Sequence, residues 1–555
     1  MKRKNRAWLW GCLTVAVFGL WHLLDVKSGA LESKDRWLVG QYLLLFAGVA
    51  AAAAVLGKMF CPDETRPRRK LETVYAVAGI TLGIFYLLVL PPLSAPDEIS
   101  HYMGAYQLSS RFLGQPSNSA TGHVLVRPQD IWVEDVEDRW KYEESEDGYM
   151  QPVAETAAES GYLGEVLEEK TYETIRQQGM WGQRYPKEAE AHEQLKHSLI
   201  LSPYPPVITT PAAYIPQALG ISLARLFGLN TIMLLYMGRL GNLLFFVGAT
   251  YLAMRRLPFG KEVLFGVAVL PMTLHLSASF SYDVIILGGM FYLTAVCLDL
   301  AYEKERVRAA DVAVIAGIMA AVGPCKLIYG VLMGLCLLIP VKKFGGRRLW
   351  LLSAATVAAA WGLSMTFVNG QTIVSYATET ESVVPWSQEA GYSLSLLLHR
   401  PLQAVRMFYQ TLLWQAEYYH MTMIGAYLGN LDPVLDVPYA AVAVFTAALL
   451  CLAAKKPGES QRMSAGDRIW ICVLCALCGL AAMASMLIAW TPLSSLVISG
   501  VQGRYFLPFL PVLMMAFKNN VIVLTKNGNR SILYLMCCTN GYVILRLYSV
   551  VSMRL

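Results

Sequence analysis

Residues 468–490, RIWICVLCALCGLAAMASMLIAW, carry one charged side chain, at the first position, over a length that crosses a bilayer. At 1.5 Å per residue, about 20 apolar residues span the ~30 Å hydrocarbon core, where a helix satisfies its own backbone hydrogen bonds. Residues 37–60, WLVGQYLLLFAGVAAAAAVLGKMF, read the same way. Composition agrees: the chain is 55% hydrophobic and 15% charged, against about one-quarter charged in soluble domains. The expected fold is an all-α polytopic integral membrane protein. Residues 7–24 follow a basic MKRKNR start, as in a signal peptide. They lack a small-residue cleavage site, carry Trp8, Trp10 and Trp21, and are soon followed by another apolar run, so they read as a retained helix.

Short basic loops fix orientation, because Lys and Arg concentrate on the cytoplasmic side. MKRKNR, RPRRK (66–70), Arg255-Arg256, EKERVR (303–308), KKFGGRR (342–348), Lys455-Lys456 and KNGNR (526–530) can all lie inside together. That solution uses about thirteen spans, near 7–24, 37–60, 72–92, 231–254, 262–280, 284–301, 309–324, 326–341, 349–368, 437–454, 468–490, 504–518 and 531–551. The N-terminus is then cytoplasmic and the C-terminus outside. Residues 207–228 and 401–425 are apolar enough to span, but counting the first would put Arg255 and Arg256 outside. Both are read as helices in or dipping into the outer interface, and a true span stays open for each. The chain divides into a two-helix N-terminal extension (1–70), a transmembrane core (71–520) with an acidic outer loop (94–206), and a C-terminal transmembrane helix (521–555).

That loop holds 20 acidic and 9 basic side chains, a balance of −11 in a chain whose total is +6, which leaves +17 for the rest. Such asymmetry fits an extracytoplasmic loop joined to a basic cytoplasmic face of a cell membrane. Nucleic acid is excluded as a partner, because no soluble segment interleaves basic and aromatic residues. The run VEDVEDRWKYEESEDGY lacks the alternating ligands and glycine of a calcium loop and reads as a solvated acidic face. Helices lying on the membrane are expected here, with a flexible part near 115–190. Eleven cysteines lie almost entirely in apolar segments, none between residues 94 and 206. The row Cys472, Cys475, Cys478 has no acid or histidine beside it and reads as packing.

The loop opens with PPLSAPDEISHYMGAY (91–106), which fits a helix start: Ser94 as cap, Pro96 in the first turn, and Asp97 three residues after the cap. It also sets Asp97, Glu98 and His101 at the outer surface. The topology brings other loops to the same face: SYD with Tyr282 and Asp283, PCKLIY with Lys326, NLDPVLD with Asp432 and Asp436, and SGVQGRYFLPFLP with Arg504 and Tyr505. Each has a plain alternative. Lys326 and Arg504 can snorkel, Asp283 can cap its helix, Asp432 and Asp436 can be loop polarity, and His101 can hydrogen-bond Asp97 one turn away. Ionisable groups at bilayer depth are nevertheless a functional hypothesis by default. An exposed carboxylate can accept a proton from a hydroxyl, and Arg and Lys can neutralise a departing phosphate. Base and anion clamp on one face favour group transfer from a lipid phosphate at the outer leaflet.

These stretches, with SPYPPVITTPAAYIPQALG, MGRLGN, PMTLHLSASFSYD and GAYLGNLDP, resemble the GT-C superfamily of polytopic membrane glycosyltransferases. The resemblance is nearest to a branch of bacterial predicted membrane proteins of unknown function, and its motifs run in order from residue 91 to 511. It implies a polyprenyl-phosphate-linked sugar donor and an extracytoplasmic acceptor, such as a cell-surface glycan, lipid or polymer, used within the lipid bilayer of a bacterial cell membrane. It also implies catalysis at Asp97 with Glu98 beside it. His101, Tyr282, Asp283, Lys326, Arg504 and Tyr505 are then substrate or phosphate contacts. Metal dependence varies across GT-C enzymes, so the resemblance leaves a cofactor open; should a divalent cation take part, Asp97 and Glu98 are the carboxylates to hold Mg²⁺ or Mn²⁺. The two spans before residue 71 depart from the family pattern. Two other functions stay open: a transporter or flippase for a lipid-linked glycan, which needs ionisable groups deep in several spans, and a non-catalytic assembly protein docking through the acidic loop.

Overall fold

The computed structural model describes residues 7–32, 37–60, 69–120, 122–127, 130, 140–145, 148–154, 199–202, 204–378, 383–384, 386–460 and 462–552. Among these, seven helices are long and apolar enough to cross a membrane: Trp37–Phe60, Leu71–Val89, Thr231–Arg256, Asp283–Tyr302, Arg347–Ser375, Ala465–Trp490 and Asn529–Val551. The protein is therefore a mostly helical, polytopic membrane protein.

Six of the thirteen expected spans are not among these seven. Residues 262–280 form two short helices, Lys261–Ala268 and Pro271–Ser277. Pro271 lacks an N–H and forces extended backbone on Leu270. The break is tolerated because residues 263–281 are buried by protein. Residues 504–518 are likewise split, into a 3₁₀ turn Gly503–Phe506 and a helix Leu510–Phe517, around Pro508 and Pro511. Leu327–Leu338 is a 3₁₀ helix, and Ala309–Val322 and Tyr439–Ala453 have 14 and 15 residues. Ala7–Glu32, with Asp25, Lys27 and Glu32, is a 26-residue helix outside the seven. Of the two interfacial candidates, Ile215–Leu226 has 12 residues, about 18 Å of helix. Pro401–Ile424 has 24 residues but includes Arg406, Glu417 and His420.

The buried centre is Thr231–Arg256 packed between Leu71–Val89 and Asp283–Tyr302, with Ile215–Leu226 laid across its start. Glycine makes that last crossing: a Cβ at Gly241 would stand 2.2 Å from the Pro216 carbonyl oxygen. The N-terminal extension docks on the last helix, where Tyr534 donates to the Ala53 carbonyl (3.0 Å) and Tyr548 to Gln41 (2.9 Å).

Charged contacts separate the two ends of the bundle. Arg256 joins Asp299 and Asp311, Arg462 meets Glu303, Lys518 joins Glu262 and Glu459, and Arg530 donates to the Arg69 carbonyl. Arg256, Arg462, Lys518 and Arg530 thus mark one end, and the loops holding Asp97, Asp283, Lys326 and Arg504 lie at the other.

The acidic loop is not helical throughout. After the helix Glu98–Phe112, strands Leu125–Val126, Ile200–Leu201, Met150–Ala154 and Trp140–Glu144 lie side by side in that order. Leu125 opposes Leu201 and Trp140 opposes Ala154 in antiparallel pairs, while Met150 and Ile200 pair in parallel. Runs of two to five residues are too short for a helix and can pair across a hairpin. Much of the stretch assigned flexibility lies outside the described residues.

Candidate functional site

Leu71–Val89 ends at a loop rich in proline, and the Glu98–Phe112 helix begins eight residues beyond Leu90. Its start differs from the expected serine cap. Ser94 donates to the Pro91 carbonyl (2.8 Å), and Glu98 reaches back to accept the Ala95 N–H (2.9 Å). Asp97 occupies the cap position in the left-handed region (φ 56°, ψ 18°) and makes no capping bond with its side chain. That conformation costs an L-residue about 1–2 kcal/mol, and strain of this kind clusters at functional sites. Its effect is to turn the Asp97 carboxylate outward, with 73% of the side chain exposed.

Glu98 points the opposite way. Its carboxylate is buried, accepts the N–H groups of Ala95 and Phe280 (2.8 Å for the latter), and lies 3.9 Å from Arg239. Arg239 is held by the carbonyls of Ala278 (2.5 Å) and Leu90 (3.0 Å). Burial pushes the Glu98 carboxyl above its ordinary range, opposed by Arg239 and by backbone N–H groups. Glu98 therefore ties the loop of Asp97 to that of Asp283, and is neither a catalytic group beside Asp97 nor a second ligand for a cation there. Asp97 and Glu98 do not converge, so the carboxylate pair expected to hold Mg²⁺ or Mn²⁺ does not fit one.

Asp97, Ser100, His101, Val207, Tyr282, Asp283, Lys326, Arg504 and Tyr505 line a cavity of about 160 Å³. Seven of the eight expected site residues meet there, and Glu98 does not. Asp283 is the first residue of its helix but does not cap it. It accepts a hydrogen bond from Lys326 (2.8 Å) and stands 3.7 Å from Arg504. Lys326 lies over the Tyr505 ring at 4.1 Å and the Tyr282 ring at 5.3 Å. Its charge is thus already matched by an acid and two aromatic faces.

Arg504 is placed by Gly503, whose N–H donates to Thr422 (2.8 Å) and whose missing Cβ would stand 1.9 Å from the Tyr419 carbonyl oxygen. Its guanidinium is 5% exposed, and the carboxylates of Asp283 and Asp97 lie 3.7 and 3.9 Å away, beyond hydrogen-bond range. Its buried Nε has no hydrogen-bond partner among the described residues. A buried guanidinium with unmet donors is costly unless an acceptor comes to it.

His101 does not bond Asp97. Its Nδ1 meets the Tyr214 hydroxyl at 2.8 Å and its ring stands edge-on to Tyr282. Burial lowers its pKa to about 3, against the pull of Asp283 and with the help of Arg504 and Lys326, so the imidazole is neutral at pH 7. Asp436 pairs with Arg546 on the last helix and stands apart from the cavity. Ser100, Val207 and Tyr214 escaped the sequence reading. Ser100 shares its helix with Asp97, which was signal enough, whereas nothing marked Val207 or Tyr214 within an apolar, proline-rich run.

All nine lining residues lie within residues 80–513, which match the model of a family described as predicted membrane protein, DUF2142. No curated protein and no solved structure matches the chain. The matched region covers well over half of the sequence, and the chain belongs to the DUF2142 family of predicted membrane proteins.

Proposed function

We propose that this protein is a membrane glycosyltransferase that moves a sugar from a polyprenyl-phosphate donor to the hydroxyl of an extracytoplasmic glycan, lipid or polymer. The observation that carries the reading is the pairing, in one cavity, of an exposed carboxylate, Asp97, with a buried guanidinium, Arg504, whose Nε is unpartnered. The acceptor hydroxyl attacks the sugar's anomeric carbon and the carbon–oxygen bond to the phosphate breaks. Asp97 takes the hydroxyl proton, Arg504 holds the leaving phosphate, and inversion follows from the single displacement. The resemblance to GT-C enzymes supports the same donor class. The positive-inside rule places the basic end in the cytoplasm and the cavity at the outer face of a bacterial cell membrane, with about thirteen membrane-crossing or membrane-depth segments.

Arg239, a buried cation near the cavity, bonds to the backbone carbonyls of Ala278 and Leu90 and is not among the residues lining the cavity, which favours an enzyme over a flippase. The test is transfer from a radiolabelled polyprenyl-phosphate sugar in membranes. Asp97→Asn is expected to insert normally and to lose transfer by about 10²–10⁴-fold; full activity in that variant would remove the assignment.

A further inference from the structure

At the basic end, far from the cavity of Asp97 and Arg504, an apolar hollow of about 250 Å³ opens sideways between Ala309–Val322, Leu327–Leu338 and the start of the long helix Arg347–Thr378. Ile315, Met333 and Leu337 line it from two of the helices and Ala354 and Ala358 from the third, together with Phe344. Higher up the two walls touch, where Trp361 covers Gly323 and Gly330. Below that contact the small side chains of Ala354 and Ala358 leave them apart. Ser353, a hydroxyl on this wall, is satisfied by the Leu349 carbonyl (2.8 Å), so nothing in the hollow calls for water.

The rim is cationic. Arg306, Arg308, Lys342, Arg347 and Arg348 are all exposed and flank the lining residues Val307, Phe344 and Trp350 in sequence. Nearby acids are partly spoken for: Asp311 holds Arg256 and Glu303 holds Arg462. Ala358 lies eleven residues along the helix from Arg347, about 16 Å of rise, so the hollow is within acyl-chain reach of a headgroup at the rim. Basic pockets between transmembrane helices select anionic headgroups, and each acyl methylene buried in the hollow adds to the affinity.

We infer that this hollow is a binding site for an anionic phospholipid, one acyl chain between the helices and the phosphate among Arg347, Arg348 and Lys342. It is a separate site from the proposed catalytic one and takes its lipid from the opposite leaflet. The test is native mass spectrometry and thermal unfolding of the full chain, delipidated and given phosphatidylglycerol or phosphatidylcholine. A retained lipid adduct and a rise in Tm are expected with phosphatidylglycerol alone. Ala354→Phe should fill the hollow and abolish both effects, whereas Ala355→Phe, which does not line it, should keep them. Arg347→Gln with Arg348→Gln should weaken phosphatidylglycerol retention at least tenfold, and provides the reading if the filled variant does not fold. Equal effects of the two lipids, or an unchanged response in the filled or charge-reduced variant, would overturn the site.

Discussion

Two arginine–carboxylate pairs stand at the same end of the bundle with the same closest approach, 3.9 Å: Arg239 with Glu98, and Arg504 with Asp97. In the first, the acid accepts two backbone N–H groups and the arginine donates to two carbonyls. In the second, the acid is mostly exposed and the arginine makes no short contact with either neighbouring carboxylate. The first pair is buried and joins loops through backbone partners. The second is open, with donors and an acceptor directed at a cavity, which separates a structural charge pair from a candidate reaction site more sharply than residue type or distance.

The comparison breaks if the two acids behave alike. Asp97→Asn should lower transfer by about 10²–10⁴-fold without loss of folded protein, measured by product formation per amount of inserted protein. Glu98→Ala should do the reverse in origin: it leaves Arg239 buried without its acid and costs about 3–5 kcal/mol of stability, seen in the denaturation midpoint in detergent. Arg504→Lys keeps the charge but loses the planar fork. It should weaken donor binding by about 1.5–3 kcal/mol, read as a raised KM for the labelled donor.

Asp97→Gly sharpens the contrast, since glycine adopts the left-handed backbone freely. It should raise the melting temperature, by relief of about 1 kcal/mol, while transfer is lost. The smallest effect is on pH dependence. His101 is neutral in the fold down to about pH 3, whereas an unfolded histidine protonates near pH 6.5. The unfolded state then binds the extra proton, so this residue's contribution to stability falls as pH drops from about 6.5 toward 3. Replacing His101 by Asn should flatten that part of a stability–pH profile.

Much of the site was legible because charge in an apolar chain is conspicuous. Asp97, Asp283, Lys326 and Arg504 each interrupt runs that otherwise suit lipid, and the alternation of basic loops brings them to one end. The split between Asp97 and Glu98 was not legible, because adjacent acids at a helix start differ only through backbone conformation and through Phe280, a residue 182 positions away. The broken helices around Pro271 and Pro508 satisfied hydropathy over their length, and only their burial by neighbours shows why they need not be continuous. The strands near Leu125 and Ile200 are too short to leave a periodic signal, and they depend on pairing across the loop.

The most direct measurement is an experimental structure of the protein in a bilayer mimic with a short polyprenyl phosphate. The expected result is phosphate oxygens within hydrogen-bond distance of Arg504, with the Asp97 carboxylate on the open side of the cavity and Glu98 still bonded to Ala95 and Phe280. Arg504 closed directly onto Asp97 and Asp283, with the phosphate bound elsewhere, would contradict the account.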